Sequence, residues 1–158
     1  MTPMTPMLTV ARSSVAAIAG ATEFAALAAE YAAEAAIDGL PPPAAKMETY
    51  RQLEAAGMLQ AFSASIDGTL IGFITLLAPV LPHYGVPVAV SESFFVAGAH
   101  RRSGAGLGLL GAAEAEARAL GSPGLLVSAP FGGRLFEVLP RRGYVETNRV
   151  FFKKVGDG

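Results

Sequence analysis

The period of the apolar positions changes several times along this chain, and each change marks where one element gives way to another. Leu8 to Arg12 alternates, which predicts a short edge strand behind a frayed leader of residues 1–7. Phe24, Leu27 and Tyr31 then recur at helical spacing, with Glu23, Glu30 and Glu34 left for the wet face. An alanine-rich helix is therefore expected over Thr22–Ile37, ended by Gly39 and Pro41-Pro42-Pro43. Met47, Tyr50 and Leu53 form a second stripe, for a helix over Ala44–Ala56 capped by Gly57. The period drops to two in Met58–Ile66 and Leu70–Val80, on either side of Asp67-Gly68, a strong two-residue hairpin signal. Val86–Ala97 adds a third strand, antiparallel to its predecessor.

From Gly104 the pattern is helical again, to Leu120, with Leu107, Leu110, Ala113 and Leu120 on the buried stripe. Gly121-Ser122-Pro123-Gly124 stops that helix. A short strand at Leu125–Ser128, a helix at Gly133–Arg142 and one or two closing strands within Tyr144–Val155 complete the chain. The sequence of elements describes a single α/β domain over residues 1–158.

Composition narrows the class. A chain of 158 residues, 52% hydrophobic and 16% charged, folds around a substantial core. Thr69 to Ser91 carries no Asp, Glu, Lys or Arg and approaches the length of a membrane span, but Pro79, Pro82 and Pro87 with Gly72 and Gly85 would break a spanning helix. Two buried strands joined by Pro82–Pro87 account for it, so no membrane association is expected. With no cysteine and only His83 and His100, far apart, thiolate chemistry and a metal site are not expected. The N-terminus makes a poor signal peptide, which implies a cytoplasmic protein. Residues 1–90 carry three basic and seven acidic side chains, and residues 91–158 nine and six. That modest basic excess suits a polyanionic small molecule better than a nucleic acid.

The basic half contains the most informative segment, Glu92 to Leu110: an apolar strand, His100-Arg101-Arg102-Ser103, then a glycine-studded turn opening a helix. Unpaired N–H groups and the positive end of the helix dipole make such a turn a phosphate site. A P-loop would need a Lys-Ser/Thr pair after the glycines, and none is present. A dinucleotide fingerprint is formally matched by Gly106-Leu107-Gly108-Leu109-Leu110-Gly111. His100-Arg101-Arg102-Ser103 nevertheless intervenes between the strand and the glycines, and no acidic residue ends the next strand. The third pattern, Arg101-Arg102-Ser103-Gly104-Ala105-Gly106, resembles the coenzyme A pyrophosphate loop of the GNAT superfamily of acyl-CoA-dependent N-acyltransferases. The order of elements agrees from one end of the chain to the other.

The resemblance implies a mixed, mostly antiparallel sheet flanked by helices, with a splayed strand pair that admits acetyl-CoA. It assigns the pyrophosphate to Arg101, Arg102, Ser103, Gly104, Ala105, Gly106, Leu107 and Gly108, and the pantetheine arm to Phe94, Phe95, Val96 and Ala97. It implies acetyl transfer to a primary amine in a ternary complex, without a metal, and a homodimer through the C-terminal strands as one option. Glu92, the only carboxylate in Val86–Ala99, is either the general base or a rim glutamate; alternation puts it on the face of Phe94 and Val96. The family's acid tyrosine aligns with Leu139 or Phe136, neither of which can donate a proton. Tyr144, water or an unassisted thiolate then takes that role. His83 and Tyr84, at a strand tip, face either the acceptor or solvent. Arg141 and Arg142 belong to a basic C-terminal region that is a solvated face, a 3′-phosphate contact or a partner surface. A non-catalytic module that binds CoA or a partner is the alternative to an enzyme.

Overall fold

The computed structural model describes residues 2–41 and 47–156. Residues 2–7 are exposed and without regular structure until Met7, whose N–H donates to the Asp67 carboxylate at 3.0 Å. Strand β1 (Leu8–Ser13) follows, then a helix that no periodicity signalled, α1 (Val15–Gly20). Ser14 starts it, its Oγ accepting the N–H of Ala17 at 3.0 Å. Val15 and Ile18 are buried on its inner face.

Helix α2 (Phe24–Ala35) keeps the expected stripe but is shorter at both ends. Of the second expected helix, α3 (Met47–Ala55) is described, and the portion expected from Ala44 to Lys46 lies outside the described residues, as do Pro42 and Pro43. Strands β2 (Leu59–Ile66) and β3 (Thr69–Leu77) pair antiparallel across Asp67-Gly68. Both turn residues have positive φ, 48° and 81°, as a two-residue turn matched to strand twist requires.

The third expected strand divides. A small ribbon of β4 (Val80–Leu81) and β5 (Val86–Pro87) carries the proline-rich tip, and β6 (Ala89–Val96) is the long strand. Helix α4 (Ala105–Ala119), strand β7 (Leu125–Leu126) and helix α5 (Arg134–Arg141) complete the regular elements. The main sheet runs β1-β2-β3-β6-β7, antiparallel except for the β6–β7 pair, which the α4 crossover makes parallel. No helix among the described residues is long and apolar enough to cross a membrane.

Strand β3 lies at the centre and is buried on both faces. On one face Ile71, Ile74 and Leu76 pack against Ala105, Leu109 and Ala113 of α4. On the other, Phe73 and Phe95 pack against Val15, Ile18 and Leu27 of α1 and α2. Truncating any fully buried member, such as Ile74 or Leu109, should cost about 2–5 kcal/mol. Helix α4 therefore rests on the sheet through a row spaced by four residues. Leu107, expected on the buried stripe, is turned outward.

Among the described residues no strand follows Leu126, so the one or two strands expected within Tyr144–Val155 are not formed. The segment finds neither a sheet edge nor a core for its apolar residues: Val145, Val150, Phe151 and Val155 are all more than four-fifths exposed. Lys154 ties it instead to Asp38 beyond α2, at 2.9 Å.

Two glycines of α4 should respond oppositely. A Cβ at Gly108 would lie 2.8 Å from Cγ2 of Val10 on β1, whereas one at Gly111 meets nothing within 4 Å. Urea unfolding should show Gly108→Val destabilised by about 1–3 kcal/mol and Gly111→Ala stabilised by about 0.5–1 kcal/mol. Equal effects would mean that α4 is not seated on β1.

Candidate active site

Strands β6 and β7 are paired only at Ala89–Leu125 and Val90–Leu126. Beyond Val90, β6 continues to Val96 bonded to β3 along one edge, and its other edge opens on a cleft of about 1010 Å³. The start of α4 walls this cleft on one side. Residues 130–134 and α5 wall it on the other.

At the end of β6 a single 3₁₀ turn, Gly98–His100, leads into the glycine segment. Gly104 caps α4 at φ 89°, a left-handed conformation that disfavours any side chain. Ser103 shapes the turn: its Oγ donates to the His100 carbonyl at 2.6 Å and accepts the N–H of Ala105 at 3.2 Å. The first N–H bonded within α4 is that of Gly108, to the Gly104 carbonyl, so those of Gly106 and Leu107 have no carbonyl below them. A Cβ on Gly106 would meet only Phe94 and Val96, both at 3.9 Å, an ordinary contact. Nothing in the protein itself requires glycine there. The bare backbone lines the cleft, where a bound group could approach it closely.

The two arginines are not equivalent. Arg101 is engaged: both Glu34 oxygens accept from its Nη2 at 2.7 Å, its Nε donates to the Val96 carbonyl at 3.0 Å, and its guanidinium lies over the Phe95 ring. It clamps α2 to the end of β6. Arg102 is exposed in the cleft and makes no ion pair among the described residues. Arg134, Arg141 and Arg142 line the opposite wall, which gives the cleft its positive charge. Unpaired helix N–H groups, a helix dipole and convergent guanidinium groups fit a diphosphate. Phe94, Phe95, Val96 and Leu107 line the same cleft, whereas Ala105 is fully buried and Gly108 faces β1. Ala97 packs beside the α1–α2 core.

Glu92 occupies an irregularity in the ladder. Thr75 pairs with Ser93 and Leu76 with Ser91, leaving Glu92 as one extra residue in β6. Such a bulge re-aims side chains and breaks alternation. Glu92 consequently points to the helical face of α1–α3, not to the face of Phe94 and Val96 that alternation implied. There Tyr50 Oη donates to its Oε1 at 2.8 Å and Thr75 Oγ1 to its Oε2 at 3.0 Å, while Ser93 Oγ lies 2.6 Å from Thr75 Oγ1. Burial first, then the charge of Glu92, pushes the Tyr50 phenol well above its ordinary range; Tyr31 is raised for the same two reasons. Both hydroxyls stay protonated. Tyr31, Tyr50, Thr75 and Ser93 border a small apolar cavity between these helices and the sheet. By sequence both tyrosines fall only on apolar helical stripes, because a partner contributed by a bulge leaves no mark in helical spacing.

The remaining candidates lie elsewhere. Tyr144 donates to Glu114 of α4 at 2.7 Å, and burial together with that bond raises its phenol. Leu139 is buried and Phe136 exposed. His83 and Tyr84 stack edge to face at the β4–β5 tip and line neither the cleft nor the cavity.

Comparison with known proteins agrees with this architecture. The model of the acetyltransferase (GNAT) family matches residues 24–129. No curated protein matches the sequence significantly. Among solved structures, a ribosomal-protein-alanine N-acetyltransferase from Brucella melitensis biovar Abortus 2308 superposes with TM-score 0.69 at 19% identity, covering 96% of this chain and 100% of that one. The aminoglycoside 6′-N-acetyltransferase AAC(6')-Ih from Acinetobacter baumannii gives 0.69 at 20%, over 96% and 100%. AAC(6')-Iy bound to a CoA-linked bisubstrate analogue gives 0.72 at 21%, over 95% and 99%. At these identities the likeness is one of fold.

Replacement of Gly106 by valine should separate folding from binding. Urea unfolding should stay within about 0.5 kcal/mol of wild type, and calorimetry should show acetyl-CoA affinity down at least tenfold, about 1.4 kcal/mol. Arg102→Ala should also weaken binding, whereas Arg101→Ala should chiefly cost stability, by about 1 kcal/mol. Undiminished affinity in Gly106→Val would remove the turn from the binding site.

Proposed function

We propose, from the premise that this chain belongs to the GNAT acetyltransferase family, that it transfers an acetyl group from acetyl-CoA to a primary amine with both substrates bound at once. The observation that carries this reading is the position of β6. One end of it turns into the glycine segment beside the cleft, and its bulge presents Glu92 on the opposite face beside a cavity. Donor and acceptor can thus meet from the two sides of one strand.

The residues of the cleft fit the cosubstrate. Arg102 and the Gly106 and Leu107 N–H groups hold the diphosphate, with Ser103 and Gly104 fixing the turn. Main-chain groups of Phe94–Ala97 along the free edge of β6 hold the pantetheine arm, and an N–H near Phe95 or Val96 polarises the acyl carbonyl. Acetyl-CoA, when bound, supplies the acyl group as an activated thioester.

Glu92 orients the substrate ammonium and accepts a proton from it, directly or through one water. Tyr50 and Thr75 hold the carboxylate in place as neutral donors. The amine gives up two protons per turnover as its nitrogen bonds to the acyl carbon and the carbon–sulfur bond breaks. Glu92 takes the first, and the second neutralises the departing sulfur or passes to water. We read sulfur departure as unassisted by a side chain: Tyr144 is committed to Glu114, Leu139 and Phe136 have no proton to give, and an ordinary thiol has a pKa of about 8.5. With no acid side chain at hand, a module that binds CoA without turnover is the alternative. Acetyl-CoA binding with no reaction across an amine panel would favour that module.

Two further parts of the reading concern context. The protein works in the cytoplasm, where its cosubstrate is available. It pairs with a second copy through Val145, Val150, Phe151 and Val155, an apolar row too exposed for an isolated chain. Light scattering should give twice the chain mass, and Phe151→Glu should give the single mass; a monomeric wild type would contradict the pairing.

Glu92→Gln tests the catalytic assignment. Turnover should fall by about 100-fold near pH 6–7, and the loss should shrink as the pH approaches the amine's own value of about 10. A parallel pH–rate profile in the variant would remove Glu92 as base.

A further inference from the structure

Resting on the acetyl-transfer reading, we infer that the α5 wall of the cleft is a subsite for the 3′-phosphoadenosine end of the cosubstrate, so that this chain selects CoA over its 3′-dephospho form. The positive charge of the cleft exceeds what a diphosphate neutralises. Five arginines line it, and the one carboxylate among its lining residues, that of Glu34, is committed to Arg101. Arg102, Arg134, Arg141 and Arg142 remain, all exposed and none in an ion pair among the described residues. A diphosphate diester carries one charge on each phosphorus, and Arg102 with the N–H groups of Gly106 and Leu107 meets it. The three guanidinium groups of α5 and its C-terminal end are left over. A phosphomonoester, with a charge of roughly −1.5 to −2 and three acceptor oxygens, is the anion that matches them.

Helical spacing explains why those groups converge. Arg134, Val138 and Arg141 fall at i, i+4 and i+7 of α5 and share one face, with Arg142 next to it. Arg134 and Arg141 stand about 10 Å apart along the axis. Glu137, the one acid of this helix, does not line the cleft and leaves their charge uncancelled there. A cleft walled by one sign of charge focuses its field on an anion inside it.

The same wall offers the base a surface. Pro130–Gly133 is a tight turn, closed by the Gly133 N–H donating to the Pro130 carbonyl at 2.9 Å. Gly132 takes φ 73° in it, and a Cβ on Gly133 would lie 3.1 Å from that carbonyl oxygen. Both glycines are therefore required by the turn, and what the turn presents is Phe131, fully exposed and lining the cleft. An aromatic side chain held out in this way is a stacking platform for a base. A bare phosphate would leave Phe131 without a partner, whereas a nucleoside bearing a phosphomonoester engages both the ring and the arginines. The cosubstrate then spans the cleft, its diphosphate on the α4 side and its 3′-phosphate on the α5 side.

Calorimetry with CoA and dephospho-CoA, which differ only in that phosphate, tests the subsite. Wild type should bind CoA about tenfold or more tightly than dephospho-CoA. Arg134→Ala/Arg141→Ala should lose that preference: CoA affinity falls by about tenfold or more, while dephospho-CoA stays within about twofold of wild type and shows that the variant is folded. Phe131→Ala should weaken both ligands alike, by about fivefold or more, since both carry adenine, with the unliganded protein melting as wild type does. Equal affinity of wild type for the two ligands would overturn the inference. So would an equal loss of both in the arginine variant, or full affinity for both in Phe131→Ala. Binding of neither ligand to wild type would instead overturn the underlying acetyl-transfer reading.

Discussion

Beyond Val90, strand β6 pairs with another strand along one edge only, and the site is organised around the other edge. A strand interior to a sheet normally satisfies its backbone on both sides. Here β7 ends after two residues, and the gap that follows is a cleft of about 1010 Å³. The constraint that keeps it open lies in the connections: α4 is seated against β1, β2 and β3, while α5 and the loop before it stand off on the far wall. The sheet has an edge inside it, and a ligand rather than a strand is placed to complete it.

One strand serves two faces because it is irregular. Its last residues feed the glycine turn and the phosphate-binding end of α4. Its bulge turns Glu92 through the sheet toward α1–α3, where Tyr50 and Thr75 hold it. Without that extra residue, Glu92 would lie on the α4 face, out of reach of the Tyr50 and Thr75 hydroxyls. Arg101 protects the junction from the outside. Its ties to Glu34, Val96 and Phe95 fix α2 relative to β6, leaving Arg102 as the turn's cation without an ion pair among the described residues.

What the sequence revealed follows from where each constraint is stored. Gly104 and Gly106 could be read because their requirement is local: a left-handed cap in one case, a bare backbone in the other. Asp67-Gly68 was legible for the same reason. The bulge was invisible, since it exists only in the pairing of β6 with β3, and a strict period of two put Glu92 on the wrong face. Leu107 fits a buried stripe by spacing, but the face of α4 that meets the sheet is that of Ala105, Leu109 and Ala113, which leaves Leu107 lining the cleft. The roles of Arg101 and Arg102 depend on Glu34, about seventy positions earlier, and adjacency in sequence could not separate them. The expected closing strands have suitable alternation but pair with no strand among the described residues, and their apolar side chains stay exposed.

Thermal unfolding with acetyl-CoA, CoA and NAD side by side tests the central claim most directly, because it reads occupancy of the cleft without assuming an acceptor. At ligand near 100 times its dissociation constant, linkage gives about 2.7 kcal/mol of stabilisation, roughly 5–10 °C for a domain of this size. The account predicts that shift with acetyl-CoA and CoA and none with NAD. No shift with either CoA species would mean that the open edge of β6 and its glycine turn are features of the fold alone, and the acetyl-transfer reading would fall with them.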